Sequence, residues 1–381
     1  MTDAIANLKR FVLQPRLELR RSWCQSHLFR LQRSLQRELC SRRLSTPVQR
    51  SDAPEPTVTV ARIIGNDLYP RHAAGQALVN LKTILEQETA VSGWQNLFVF
   101  NRCLDASAVD QAVQQVKTAG HAAIVLPFDA DVYRQIRCDL GFFGGCGYFQ
   151  SAAFAAKSVN QQNRERLWAC APKIHYLMNV NGARNVALDH GRAQSDWTFV
   201  LDGSCFLNQE AQRLLRCDLL RAPHTPYLVL AMQRLSANGD LALADVEPNR
   251  KEEPQLAFRF DANESFDPAF PYGMRDKTAL LDRLGVPGFW NLWGAMPWLP
   301  GSSPRSRERH CYKYSSAAVL RLTSGVDAGS LEAPAAQAQR YRSRADAIFR
   351  TLALVDERCG AIEPQQASVV MGLEHLGGLS E

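Results

Sequence analysis

Residues 176–206, YLMNVNGARNVALDHGRAQSDWTFVLDGSCF, hold the densest polar cluster of the chain between two apolar segments. Asn179, Asn181, Gly182, Ala183, Arg184 and Asn185 open the stretch, a helix-like run follows, and a strand closes on Val200-Leu201-Asp202-Gly203-Ser204. Ligands of open α/β sheets bind at the carboxyl ends of strands, where an Asp can hold a hard cation against a phosphate. The same Asp could instead cap the helix expected over 208–220 through a turn. The strand end is the centre around which the remaining chain is read.

Upstream, β-branched and helical patterns alternate. Residues 57–64 (TVTVARII), 96–100 (NLFVF) and 122–126 (AAIVL) read as strands. Between them, 76–88 and 106–119 carry apolar residues at helical spacing. Strands alternating with single helices argue for a parallel sheet with right-handed crossovers, a Rossmann-like α/β half. Several of these strands end in polar tips: Arg62 to Asn66-Asp67 after the first, Asn101-Arg102 after the second, Asp129 after the third. Such tips can line one crevice or serve as turn and capping residues. The Gly-rich residues 137–149 do not follow an apolar strand or fit a phosphate-loop spacing, and read as a turn or lid. Downstream, 227–232 and 317–322 are strand-like and 335–358 is helical, whereas 252–298 is rich in aromatics and Pro, with a short helix at 277–284.

The ordered set Ala183-Arg184-Asn185, one helix, and a strand ending Asp202-Gly203-Ser204 resembles family 2-like glycosyltransferases of the GT-A fold. The resemblance covers about residues 57–232. It implies a mostly parallel sheet flanked by helices and a nucleotide-diphosphate sugar as donor, with Mg²⁺ or Mn²⁺ bridging carboxylate and diphosphate. It implies that Asp202 and Ser204 sit at the metal, with His310 as a further metal ligand. Ser204 stands where the family's acidic motif has a second Asp. Around the nucleotide the resemblance implies Arg62, Asn66, Asp67, Asn101, Arg102, Asn181, Arg184 and Asn185. Lys277 and Arg275 are candidate phosphate partners, and Trp290, Trp293 and Trp298 candidates for stacking on sugar faces or packing together.

Sugar transfer to a neutral hydroxyl needs a carboxylate base beside the acceptor. Glu253 is the first candidate, followed by Asp267 and Asp261, with Glu252 adjacent. The expected organisation is a basic amphipathic arm and Pro-rich linker over 1–56, a nucleotide-sugar-binding half over 57–235, an acceptor-side or lid region over 236–330, and a helical tail over 331–381.

Composition supports a folded protein: 46% hydrophobic and 22% charged residues. The net charge of +6 is concentrated in residues 1–50, where eleven Lys and Arg face three acidic residues, a surplus of eight that leaves the remainder at −2. A near-neutral body argues against a nucleic-acid partner. The arm reads as a solvated or protein-docking helix, as an attachment to an anionic membrane surface, or as a transit sequence. None of the ten cysteines forms a CxxC pair, so reduced thiols are expected. No apolar run reaches the length of a bilayer span, and a cytoplasmic protein, peripheral at a membrane at most, is expected. The expected activity is therefore transfer of a sugar to a glycan or small hydroxyl acceptor. A sugar-phosphate nucleotidyltransferase and a degenerate GT-A-like binding or scaffold protein are the alternatives.

Overall fold

The computed structural model describes residues 55–235, 237–239, 241, 252–268, 270, 272, 277–288, 306–325, 334–361 and 369, with side chains of the last helix from 342. The basic arm, Arg275, Trp290, Trp293 and Trp298 lie outside the described residues. The described residues belong to one compact unit.

The chain runs β1 (Val58–Ile64), α1 (Gln76–Gln87), β2 (Trp94–Asn101), α2 (Ala106–Thr118), β3 (Ala122–Leu126) and α3 (Ala130–Gln135). Two short 3₁₀ turns and a single helical turn occupy the Gly-rich region and its continuation. There follow α4 (Val159–Ala169), α5 (Ala171–Met178), α6 (Val180–Gln194), β4 (Trp197–Asp202), β5 (Cys205–Phe206), α7 (Gln209–Arg221) and β6 (Tyr227–Arg234). The last elements are β7 (Gln255–Arg259), α8 (Thr278–Leu284), β8 (Tyr312–Arg321) and α9 (Pro334–Cys359).

The eight strands of the described residues form one sheet in the order β3-β2-β1-β4-β7-β6-β8-β5. The first four neighbours, β3 to β4, are parallel, as the βα alternation predicts. β7 was not foreseen: it inserts antiparallel between β4 and β6, inside the stretch expected to be a lid. Its sequence QLAFR is short and follows Pro254, so it carries too little periodicity to be read from residues alone. β8 starts five residues earlier than expected and runs parallel to β6. The result is the mostly parallel, helix-flanked α/β sheet that the GT-A resemblance implies.

Side chains of β4 alternate between two cores. Phe199 and Leu201 pack with Leu215 and Leu219 of α7, whereas Val200 packs with Leu188 of α6. Helix α6 lies close on the sheet because residue 191 is glycine: a Cβ there would meet the Thr198 side chain at 2.3 Å. Helix α9 is held by an aliphatic cluster of Ile348, Leu352 and Val355 against Tyr133 and Ile174. It is also held by a buried ion pair, Lys173 Nζ to Asp356 Oδ1 at 2.7 Å, with the Tyr133 hydroxyl donating to the same oxygen at 2.8 Å.

Candidate active site at the carboxyl edge of the sheet

Because β1, β2, β3, β4, β6 and β8 all point the same way, their last residues gather at one edge. The antiparallel β7 brings its first residues to that same edge. The edge thus holds Asn66 and Asp67 after β1, Asn101 and Arg102 after β2, Asp202 after β4, Arg234 and Arg321 after β6 and β8, and Glu252, Glu253 and Gln255 at the start of β7.

Asp202 sits at the middle of this row. Its Oδ1 accepts from Arg184 Nη2 at 2.9 Å; its Oδ2 faces Lys277 Nζ at 3.6 Å and Gln255 Nε2 at 3.4 Å. Lys277 Nζ reaches Glu253 Oε1 at 3.1 Å, so one ammonium bridges two carboxylates. Lys277 is buried, whereas Asp202 and Glu253 keep 24% and 35% of their side chains exposed, enough to face a ligand. Burial opposes ionisation of Asp202, but Lys277, Arg184 and Arg321 together more than reverse it and hold the carboxyl far below the usual carboxylate range. Gly203 lets the chain turn here: a Cβ would lie 2.5 Å from the Ile63 carbonyl oxygen. The Ser204 carbonyl accepts from the Leu322 amide at 2.8 Å, which fixes the turn to the end of β8.

The Asn-Gly-Ala-Arg-Asn element lies inside α6, not before it. Asn181, Arg184 and Asn185 therefore share one helix face, three and four residues apart. Asn181 accepts from Arg184 Nη1 at 3.0 Å and donates to the Asp267 carbonyl at 2.8 Å. The Asn185 amide donates to the Phe266 carbonyl at 2.9 Å and accepts from the Phe266 amide at 3.0 Å. Asp267 is only 3% exposed. This face thus carries Arg184 to Asp202 and pins residues 266–267.

The remaining expected residues divide by position. The Asn66 amide donates to the Arg102 carbonyl and accepts from the Leu104 amide, joining the ends of β1 and β2. Asp67 accepts from the Ala77 amide at 3.0 Å and so caps α1. Asn101 donates to the Met178 carbonyl at 2.7 Å, and Arg102 lies over the Tyr176 ring at 3.9 Å. All four are at the carboxyl edge, and these contacts shape its loops. Arg62 is elsewhere: fully buried, it donates to Glu88, Asn96 and the Cys205 carbonyl.

Asp261 and His310 lie at the opposite edge. Asp261 accepts from Nε and Nη2 of Arg259 at 2.6 and 2.8 Å, and Arg259 is the register partner of Trp197, at the start of β4. Five strand residues separate that level from Asp202, about 17 Å at ~3.3 Å per residue. His310 precedes β8 at the same end and lines a groove there with Asp261. It cannot join Asp202 and Ser204 around one ion. Lys277 already lies beside Oδ2 of Asp202, and among the described residues no group of three or more His, Cys, Asp or Glu could hold a metal. The described residues do not fit the divalent cation that the resemblance implies.

The sequence reading missed the arginines. Arg234 and Arg321 are register partners at the ends of neighbouring parallel strands. Arg71 is pushed down to about 10, by burial first, then by Arg344, with Arg321 and Arg234 adding to it. His72 beside it is pushed down to about 4 by burial and by the same arginines. Arg234 and Arg321 could have been found by the signal that marked Asp202, a charged residue closing an apolar strand.

No family model matches this chain. Nor does any curated protein. Among solved structures, the chain is similar to S. aureus TarS 1–349 in complex with UDP, with a TM-score of 0.36 and 12% identity, over 78% of this chain and 72% of that one. It is also similar to the mannosyltransferase PcManGT from Pyrobaculum calidifontis in complex with GDP-Man and Mn²⁺, with a TM-score of 0.33 and 12% identity, over 94% and 90% of the two chains. No described helix is long and apolar enough to cross a membrane.

Proposed function

We propose that this chain is a glycosyltransferase that moves a sugar from a nucleotide-diphosphate donor to a hydroxyl acceptor at the carboxyl edge of the sheet. The observation that carries the reading is Asp202. It ends a central strand, its two oxygens are oriented by Arg184 of α6 and by Lys277 before α8, and a partly exposed carboxylate, Glu253, stands on the far side of Lys277. A carboxylate beside fixed cations at strand ends is what a donor with an anionic leaving group and a neutral sugar requires.

In the reaction the bond from the anomeric carbon to the diphosphate oxygen breaks, and its electron pair leaves with the diphosphate. The acceptor oxygen bonds to that carbon and gives its proton to a carboxylate. Glu253 is the carboxylate we assign to this step, because it is at the same edge as Asp202 and 35% exposed. Asp267, though near, is buried, and Asp261 is at the other end of the sheet. Asn66, Asp67, Asn101 and Arg102 shape the loops on the nucleotide side; the base and ribose belong there in this reading.

Calorimetric titration of the purified chain with UDP, GDP, ADP and their sugar conjugates tests the reading. Saturable binding of at least one nucleoside diphosphate, competed by its sugar conjugate, is expected. Absence of binding by every one of them would remove it.

A further inference from the structure

We infer that the donor diphosphate is held by a fixed set of side-chain cations, with Lys277 standing where a divalent ion would sit on Asp202. The inference rests on the glycosyltransferase reading above and concerns how that site neutralises its ligand.

Three observations lead to it. First, Oδ2 of Asp202 is engaged: Lys277 Nζ lies 3.6 Å from it and 3.1 Å from Glu253. A metal ion on that oxygen would have to displace a buried ammonium and lie beside Arg184, 2.9 Å from the other oxygen. Second, among the described residues the further oxygen or nitrogen ligands a divalent ion needs are not gathered, since His310 is at the opposite edge and Ser204 offers a neutral hydroxyl. Third, cations are concentrated here: among the described residues Lys277, Arg184 and Arg321 act on Asp202, Arg321 also on Glu252 and Glu253, and Arg71 lies near Arg321, Arg234 and Arg344, six cations to these three carboxylates. Arg234 and Arg321 are direct neighbours across two parallel strands, separated by the roughly 4.8 Å strand spacing.

Two guanidinium groups thus start from adjacent backbone positions, and Arg234 pairs with Glu252 at 3.5 Å. Burial and the neighbouring arginines both depress Arg71. A ligand with two linked phosphates matches this concentration of cations, because each phosphate can take charge-assisted hydrogen bonds from planar guanidinium forks. As the glycosyl bond breaks, negative charge grows on the diphosphate, and prepositioned cations stabilise it without reorganisation. Asp202 in this scheme is a positioning residue: it holds Arg184 and Lys277 in place.

The test is calorimetric titration of the full chain with UDP, GDP and inorganic pyrophosphate, in EDTA and again in excess Mn²⁺. The expected result is that a nucleoside diphosphate and pyrophosphate bind in EDTA and that Mn²⁺ changes neither affinity by more than about threefold. Arg321→Ala should weaken both by about tenfold or more in EDTA, the loss of one charge-assisted contact of ~1.5 kcal/mol, and Mn²⁺ should not restore them. Arg321→Lys, which keeps the charge and tolerates the same fold, should recover part of the loss. Binding only with Mn²⁺, or tightened more than tenfold by it, would overturn the inference and leave the glycosyltransferase reading standing. Unchanged affinity in Arg321→Ala would also overturn it. Failure of every nucleoside diphosphate in both buffers would overturn both.

Discussion

The ammonium of Lys277 lies 3.6 Å from Oδ2 of Asp202, so a residue preceding α8 completes the end of the central strand β4. Removing one partner of a buried ion pair costs about 3–5 kcal/mol, because the other charge is left uncompensated. Asp202 keeps Arg184 and is 24% exposed, so Lys277→Met should cost less, about 2 kcal/mol. Urea denaturation measures this, and Lys277→Arg should recover more than half of it.

Gly203→Ala should damage stability and activity together. The added Cβ would lie 2.5 Å from the backbone oxygen of Ile63, which cannot swing aside as a side chain could. Overpacking of this kind costs about 1–3 kcal/mol. The strain falls on the residue after Asp202, so turnover should drop more than tenfold even at temperatures where the variant is fully folded by circular dichroism.

Helix α9 is anchored by Lys173 and Asp356, 2.7 Å apart and 1% and 7% exposed. Asp356→Asn leaves Lys173 buried without its counter-ion, and a loss of about 3–5 kcal/mol is expected in equilibrium unfolding. Lys173→Met combined with Asp356→Leu should be less harmful than Asp356→Asn alone, since no charge is then left behind.

His72 gives the chain an acid-sensitive element. Its Nδ1 accepts from the Leu68 amide, and burial together with Arg71, Arg321, Arg344 and Arg234 lowers its pKa from 6.5 to about 4. The folded state therefore binds this proton less readily than the unfolded chain does. Stability is full above pH 7 and declines as pH falls through 6.5 toward 4. The decline from this one group is about 2 kcal/mol between pH 7 and 5. Denaturation of wild type and His72→Asn at both pH values checks it: the difference between the two proteins should shrink or reverse at the lower pH.

The parallel half of the sheet was legible because each strand and helix there is long enough to show its own period. β1, β2, β3 and β4 all lie within three residues of where the patterns of 57–64, 96–100, 122–126 and 197–202 put them. β7 was not legible, since QLAFR is held in place by partners on both sides, β4 and β6, and not by local propensity. At the site, Asp202 was found at a strand end, Lys277 before a helix and Arg184 through the Ala-Arg-Asn resemblance, and the structure brings the three together. His310 was named through the same resemblance and Asp261 by residue type, yet they fall at the far edge, because the direction of β8 and β7 is a property of the sheet. The arginine pair 234 and 321 exists only through the register of β6 with β8, which pairs residues far apart in the chain.

Release of nucleoside diphosphate from a panel of nucleotide sugars, compared between wild type and Asp202→Ala, tests the central claim most directly. The account predicts acceptor-stimulated release with at least one donor by the wild type, and a loss of about a hundredfold or more in Asp202→Ala, the scale of removing a group that organises charge stabilisation. Release by the wild type that Asp202→Ala leaves unchanged, or no release from any donor, would contradict it.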